Sequence, residues 1–186
     1  MRAGAARGRV VSFVRHAHPE VDASIRPSEW VLTADGVQAA KSLALPPNAL
    51  VISSPEFKAL QTVALATGSA KDAVLVDAGF REVDRVEAVH DGYRAARRAW
   101  VSGVLDDRHE GWESPESAVL RVSDALRRYD ASHLVVGTHG MILTAWLVYT
   151  GAVESGESAV EFWERLPFPA IVTAEVPGGE PDPSHA

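Results

Sequence analysis

Residues 10–20 read VVSFVRHAHPE, an apolar, β-branched and aromatic run that ends abruptly in Arg15-His16-Ala17-His18. Val and Phe in near-unbroken succession read as a strand buried on both faces. Its carboxyl end delivers a guanidinium and two imidazoles to one point. Outward from this strand, strand and helix signals alternate. Residues 9–14 make the first strand. Residues 33–45, TADGVQAAKSLAL, read as a helix stopped by Pro46-Pro47. Residues 49–53 are a short strand. Ser54-Pro55 then supplies an N-cap and a proline at the first helical position, opening a helix to about Thr67. A third strand spans 74–76 and a helix 93–101. Ser114-Pro115 repeats the cap-and-proline device for a helix to about Tyr129. A strand at 134–137 and an apolar helix at 141–149 follow, then a short helix at 162–166 and a last strand at 170–176. The tail PGGEPDPSHA (177–186) has no apolar period and reads as disordered. This alternation predicts a three-layer α/β/α sandwich with a largely parallel sheet, one domain over residues 1–176.

The chain has 186 residues, 46% of them hydrophobic and 23% charged, enough to bury a real core. A formal net charge of -7 disfavours a nucleic-acid partner, so an anionic substrate would need a local cluster of cations. There is no cysteine, which excludes disulfides, thiolate metal sites and Cys nucleophiles. The apolar run after the basic start is too short for a signal-peptide core. No stretch approaches the ~20 apolar residues of a membrane helix. A soluble, cytoplasmic protein without a membrane partner is the expectation; the oligomeric state is not legible.

In a parallel sheet, ligands bind outside the carboxyl ends of the strands. Arg15 and His16 end the first strand, Ser53 and Ser54 the second, and Thr138, His139 and Gly140 follow LVVG. Three strand ends thus offer Arg, Ser, two His and a helix N-terminus to one edge, a collection suited to a phosphate group. A neutral imidazole with one ring nitrogen tied and the other free is a competent nucleophile towards phosphorus. An adjacent Arg can hold two phosphoryl oxygens. A second His can donate to an equatorial oxygen. The leaving alcohol needs a proton from a nearby carboxylic acid.

Four blocks in order make the sequence resemble the histidine phosphatase superfamily, also called phosphoglycerate mutase-like. VRHA resembles the R-H-G/A motif, which implies that His16 is the phosphorylated nucleophile and Arg15 a phosphate ligand. SPEFKALQT resembles S-P-x-x-R-A-x-Q-T, with Lys58 in the place of a second phosphate-binding Arg. GFREVDR resembles the L-R-E block and places Glu82 as general acid/base. VVGTHG resembles V-S-H-G, which makes His139 the second active-site His, catalytic and phosphate-binding. The resemblance implies a phosphoglycerate mutase-like fold and a phosphomonoester hydrolase of the histidine acid phosphatase type. It would be metal-independent, need no cofactor and act on a small phosphorylated metabolite through a phosphohistidine.

Three departures stand out. Lys58 offers a point charge where the family has a bidentate fork. RHAHPEVD lacks the R-H-G-x-T-x-x-N continuation, with Pro19 and Asp22 at the Thr and Asn places, so that substrate contact is not carried over. The segment VDRVEAVHDGY lacks the G-x-W-E-G run. His18 belongs to the cleft rim as a candidate substrate contact.

Each residue also has a plainer reading. His16 could be a capped core histidine, Arg15 a surface cation, Lys58 a solvated helical charge and His139 a helix cap. Glu82 could be an exposed loop charge, with Asp84 or Glu87 as the acid. His90, His109, His133 and His185 read as incidental, and Trp112, Trp146 and Trp163 as core or rim packing. Other functions compete as well. One is phosphoglycerate mutase-type transfer, though little room exists for an enclosing insertion. Another is a non-catalytic phospholigand-binding protein of the same fold. A metal-dependent hydrolase using the His16-x-His18 pair is disfavoured by the short chain and by Pro19.

Overall fold

The computed structural model describes residues 8–85 and 92–176. Along the chain run β1 (Arg9–Arg15), α1 (Ala34–Lys41), β2 (Leu50–Ser53), α2 (Phe57–Thr67), β3 (Leu75–Val76), α3 (Tyr93–Ser102), α4 (Pro115–Arg127), β4 (His133–Thr138), α5 (Gly140–Tyr149), α6 (Glu157–Arg165) and β5 (Ala170–Val176). The strands form one sheet in the order β3-β2-β4-β1-β5. The β3–β2, β2–β4 and β4–β1 pairs are parallel, and β5 closes the edge antiparallel to β1. This is the expected α/β fold with a mostly parallel sheet.

Side chains alternate across the sheet with a period of two. Val11, Phe13, Ile52, Leu134 and Val136 face a core shared with Trp100 of α3, Val122 and Leu126 of α4, Met141 and Ile142 of α5, and Val160 of α6. Val14 and Val135 face the other way, against Val63 and Ala64 of α2. Fully burying one such side chain is worth roughly 1.5–3 kcal/mol, so both helical layers are fastened by the strands between them. Helix α1 joins α2 through Ala40, with Val37 and Leu65 beside it.

Most element ends follow local chemistry. Thr33 caps α1 by accepting from the Gly36 N–H, and Ser114 caps α4 by accepting from that of Ser117, with Pro115 at the first helical position. Three boundaries differ from expectation. Helix α1 ends at Lys41, before the proline pair, and Leu43 and Leu45 leave it to pack under α2. Helix α6 begins at Glu157, because Ala159 and Val160 bury one face of an otherwise polar segment. Helix α2 begins at Phe57 with Glu56 at its N-cap, so Ser54-Pro55 does not open it. The 177–186 tail lies outside the described residues. Among the described residues, no helix is long and apolar enough to cross a membrane.

Candidate active site

The sheet register assembles the site. Arg15 on β1 pairs with Thr138 on β4, and Ser53 on β2 with Gly137. One residue on, the His16 N–H donates to Thr138 O (3.1 Å) and the Ser54 N–H to Gly137 O (2.8 Å). The ends of β1 and β2 therefore flank that of β4. Gly137 permits this closeness: a Cβ there would stand 2.7 Å from Ser53 Oγ and 3.0 Å from Val63 Cγ1. Thr138 Oγ1 donates to Phe80 O (3.0 Å), and Arg121 of α4 donates to Gly79 O (2.8 Å). Together they draw the segment carrying Glu82 to the same edge.

His16 is buried. Its Nδ1 lies 2.8 Å from Ala17 O. A carbonyl only accepts, so Nδ1 carries the proton and Nε2 keeps its lone pair. Burial, then the charges of neighbouring groups including Lys58 and Arg15, holds His16 well below the usual histidine range. The imidazole is neutral at neutral pH.

His139 is fully buried, with its ring centroid 5.2 Å from that of His16. Its Nε2 lies 2.8 Å from Ser54 Oγ, and its Nδ1 has no protein partner. Burial first, then Lys58, Arg85, Arg121 and Arg15, holds it well below the usual range too. Ser54, expected as a helix cap, instead bonds this ring and accepts from the Glu56 N–H (3.2 Å).

Arg15 is buried under Phe168, whose ring centroid is 3.5 Å from the guanidinium carbon. One Nη donates to Leu166 O, while Nε has no protein partner. Burial pulls the guanidinium down to about 10, against the pull of Glu82, so it stays charged at neutral pH. Gly140 makes room here, since a Cβ would stand 3.1 Å from both Arg15 Nε and Trp163 Nε1.

Glu82 sits across the start of α5. Its Oε1 accepts from the Val83 (3.1 Å) and Ile142 (3.0 Å) N–H groups, and its Oε2 from that of Met141 (3.3 Å). The helix N-terminus expected to face phosphate thus directs two of its N–H groups at a carboxylate. Asp84 is exposed beside Arg81 (3.6 Å), away from this point, and Glu87 lies outside the described residues.

Lys58 is only 5% exposed, so it is not a solvated helical charge. Its ammonium donates to Pro27 O (2.7 Å) and Glu56 Oε2 (2.5 Å). Burial lowers its pKa despite this carboxylate. No motif in the sequence marks Glu56. Burial opposes its charge, but the Lys58 ammonium and the Glu82 N–H outweigh that and hold it below the usual carboxylate range. The spacing E-x-K in SPEFKALQT was the available signal, although side chains two apart do not face each other within a helix. Glu56 reaches Lys58 because it precedes the helix.

Arg15, His16, Lys58 and Glu82 line one cavity of about 410 Å³, with Phe168 and Trp163 on its wall. His18 stands exposed at its rim, edge-on to Phe168 at 5.8 Å. His139 lies behind His16 rather than on the wall. Arg85, Arg94 and Arg97 add cationic wall that sequence reading did not assign; nothing local to them marks it. Trp146 belongs to the core and Trp112 packs against it, as expected. His109 bonds Ala96 O (2.8 Å) and His133 bonds Ser12 (3.1 Å), both away from the cavity. His90 and His185 lie outside the described residues. Among the described residues, no group of three or more His, Asp or Glu has metal-binding spacing, so the His16–His18 pair gains no third ligand there.

The family model described as histidine phosphatase superfamily (branch 1) matches residues 11–166. No curated protein sequence matches significantly. Among solved structures, YhfR of Bacillus stearothermophilus is 19% identical, with 92% of this chain and 93% of that chain covered and a TM-score of 0.67. A mutant phosphoserine phosphatase from Entamoeba histolytica, in complex with phosphoserine, is 17% identical (94% and 97% covered, TM-score 0.66). A mycobacterial glucosyl-3-phosphoglycerate phosphatase is 19% identical (91% and 91% covered, TM-score 0.61). At these identities the likeness is one of fold.

Proposed function

The chain belongs to the histidine phosphatase superfamily, branch 1, and from that premise we propose that it is a phosphomonoester hydrolase working through a phosphohistidine on His16. The observation that carries this reading is the fixed tautomer of His16, with Nδ1–H committed to Ala17 O at 2.8 Å. The nucleophilic lone pair is then at Nε2, in a cavity wall shared with Arg15, Lys58 and Glu82.

Nε2 attacks phosphorus and the bond to the leaving oxygen breaks. The Arg15 guanidinium and one Lys58 N–H hold the equatorial oxygens. His139 supports them from behind as negative charge builds, because a bound dianion favours its protonated form. Glu82 gives a proton to the leaving oxygen and takes one from the water that attacks the phosphohistidine. Orthophosphate and the alcohol are the products, and His16 is restored. Arg15 and Lys58 supply the positive charge a phosphoryl group requires, so no divalent ion takes part. Activity surviving exhaustive chelation supports this. Loss on chelation with recovery on adding zinc or magnesium overturns it.

A cavity of about 410 Å³ suits a small molecule. A small phosphorylated metabolite is the proposed substrate class, and the phosphatases among the structural neighbours support the reaction type. Rapid quenching during turnover tests the mechanism. The enzyme carries an acid-labile, base-stable phosphoryl group that maps to His16. Turnover with no such adduct, or turnover that persists in His16→Ala, overturns it.

A further inference from the structure

Glu56 puts a second carboxylate beside the cavity. As the N-cap of α2 it turns back rather than out. Its Oε2 lies 2.5 Å from Lys58 Nζ, and its Oε1 accepts from the Glu82 N–H at 2.7 Å. The same Oε1 stands 3.5 Å from His139 Nε2. One anion therefore touches the ammonium, the backbone of the proposed acid and the second imidazole. Its side chain is only 11% exposed, so water screens it little.

An ammonium has three N–H donors. Lys58 commits two, to Glu56 and to Pro27 O. One remains for the cavity. A phosphoryl group that takes it shares the lysine with an anion already in place. We propose that Glu56 is a positioning residue that sets how tightly the site holds phosphate: it fixes the Lys58 ammonium and counters its charge, so that orthophosphate is released. The proposal rests on the phosphatase reading, for only turnover requires the product to leave. It also assigns a role to the lysine at position 58. An arginine there would turn its fork on Glu56, forming a bidentate ion pair rather than a phosphate clamp.

The experiment is titration with orthophosphate from pH 6 to pH 8, because losing Glu56 also lowers the Lys58 pKa, read by calorimetry on the wild type, Glu56→Gln, Glu56→Leu, Lys58→Ala and Glu56→Gln/Lys58→Ala. Removing a charge this close in a partly buried site changes anion affinity by about tenfold or more. Glu56→Gln and Glu56→Leu bind orthophosphate at least that much more tightly. The gain is smaller in the Lys58→Ala background, where no ammonium is freed for phosphate and only the direct repulsion by the carboxylate is relieved. Thermal melts select the folded variants, and either neutral substitution alone suffices. Unchanged or weaker binding in the neutral variants overturns the proposal, as does equal tightening without Lys58. Turnover of p-nitrophenyl phosphate by the wild type is measured beside it. Turnover with no affinity shift removes the role of Glu56 and leaves the phosphatase reading. A shift without turnover removes the phosphatase reading and the release role with it, and leaves Glu56 as a determinant of phosphate affinity only.

Discussion

Two polar clusters stand past the carboxyl ends of strands, built of the same ingredients. Beyond β3, Asp77 accepts from the Gly79 N–H (2.7 Å), the Arg128 guanidinium (2.6 Å) and the Tyr129 hydroxyl (2.8 Å). Burial opposes its charge, yet these donors hold it below the usual carboxylate range. Tyr129, through burial and its bond to Asp77, is pushed up to about 12. Beyond β1 and β4, a guanidinium, a lysine, two carboxylates and two imidazoles are gathered as closely, but Arg15 Nε and His139 Nδ1 have no protein partner. Burying polar groups costs free energy unless each finds a partner. The Asp77 cluster meets that cost by closing on itself and tying α4 to the sheet. The cluster around His16 leaves bonds unmade; Arg15 Nε belongs to a residue on the cavity wall, the expected condition of a group that a ligand completes.

The largest effect separates the two at once. His16→Ala removes the proposed nucleophile and lowers kcat on the order of 10⁴-fold or more, while the melting temperature stays near that of the wild type. A variant that loses stability instead, with activity intact, would make His16 a core residue like those around Asp77.

Glu82→Gln comes next. If Glu82 protonates the leaving oxygen, turnover of alkyl phosphates falls by roughly 10²–10⁴-fold. Turnover of p-nitrophenyl phosphate, whose leaving group needs little help, falls far less. With that substrate, loss of the base makes dephosphorylation limiting, and a burst of nitrophenol appears. Equal losses on both substrates without a burst would return Glu82 to the role its hydrogen bonds alone suggest, a clasp between residues 82–83 and the start of α5.

Asp77→Ala should show the opposite profile. Removing the buried carboxylate of a cluster whose Arg128 is half exposed costs about 1–3 kcal/mol, or roughly 3–10 °C in melting temperature for a chain of this size. The kcat on p-nitrophenyl phosphate stays near that of the wild type. A large loss of activity at unchanged stability would mean that the two clusters are coupled through β2, where the Asp77 N–H donates to Ser53 O (2.9 Å).

What was legible in the sequence follows the same division. Strands came through because unbroken apolar runs have few other uses, and the strand-end positions of Arg15, Ser54 and His139 followed from them. The antiparallel course of β5 did not, since strand direction depends on partners far away in the chain. The Asp77 cluster was invisible, because its members lie about fifty residues apart and each is ordinary alone. Glu56 was invisible for a subtler reason. Local pattern placed the helix start at Pro55, which would have sent its side chain outward; the start at Phe57 turns it inward. Phe168 reaches the cavity from the loop before β5, and nothing in its neighbours signals that.

The last effect is the dependence of stability on pH, in which the two imidazoles and the carboxylates have separate windows. His16 and His139 are held neutral in the fold, with pKa values well below the ordinary range. In the unfolded chain both titrate near about 6.5. Between that value and their folded pKa values the unfolded chain binds more protons, so stability falls as pH falls below about 6.5. Within the window each ring contributes a slope approaching about 1.4 kcal/mol per pH unit. Asp77 is likewise lowered in the fold, but from a lower starting value: its contribution is full above the unfolded pKa, about 3.9, and is lost only as pH falls below that. Urea unfolding across this range should thus show two separate losses. His16→Ala halves the slope in the upper window and leaves the lower one alone. Asp77→Asn reduces only the lower, which Glu56 and Glu113, also held below the usual carboxylate range, share with it. If His16→Ala leaves the upper slope unchanged, His16 is not buried as a neutral ring, and the open cluster loses the member on which its chemistry depends.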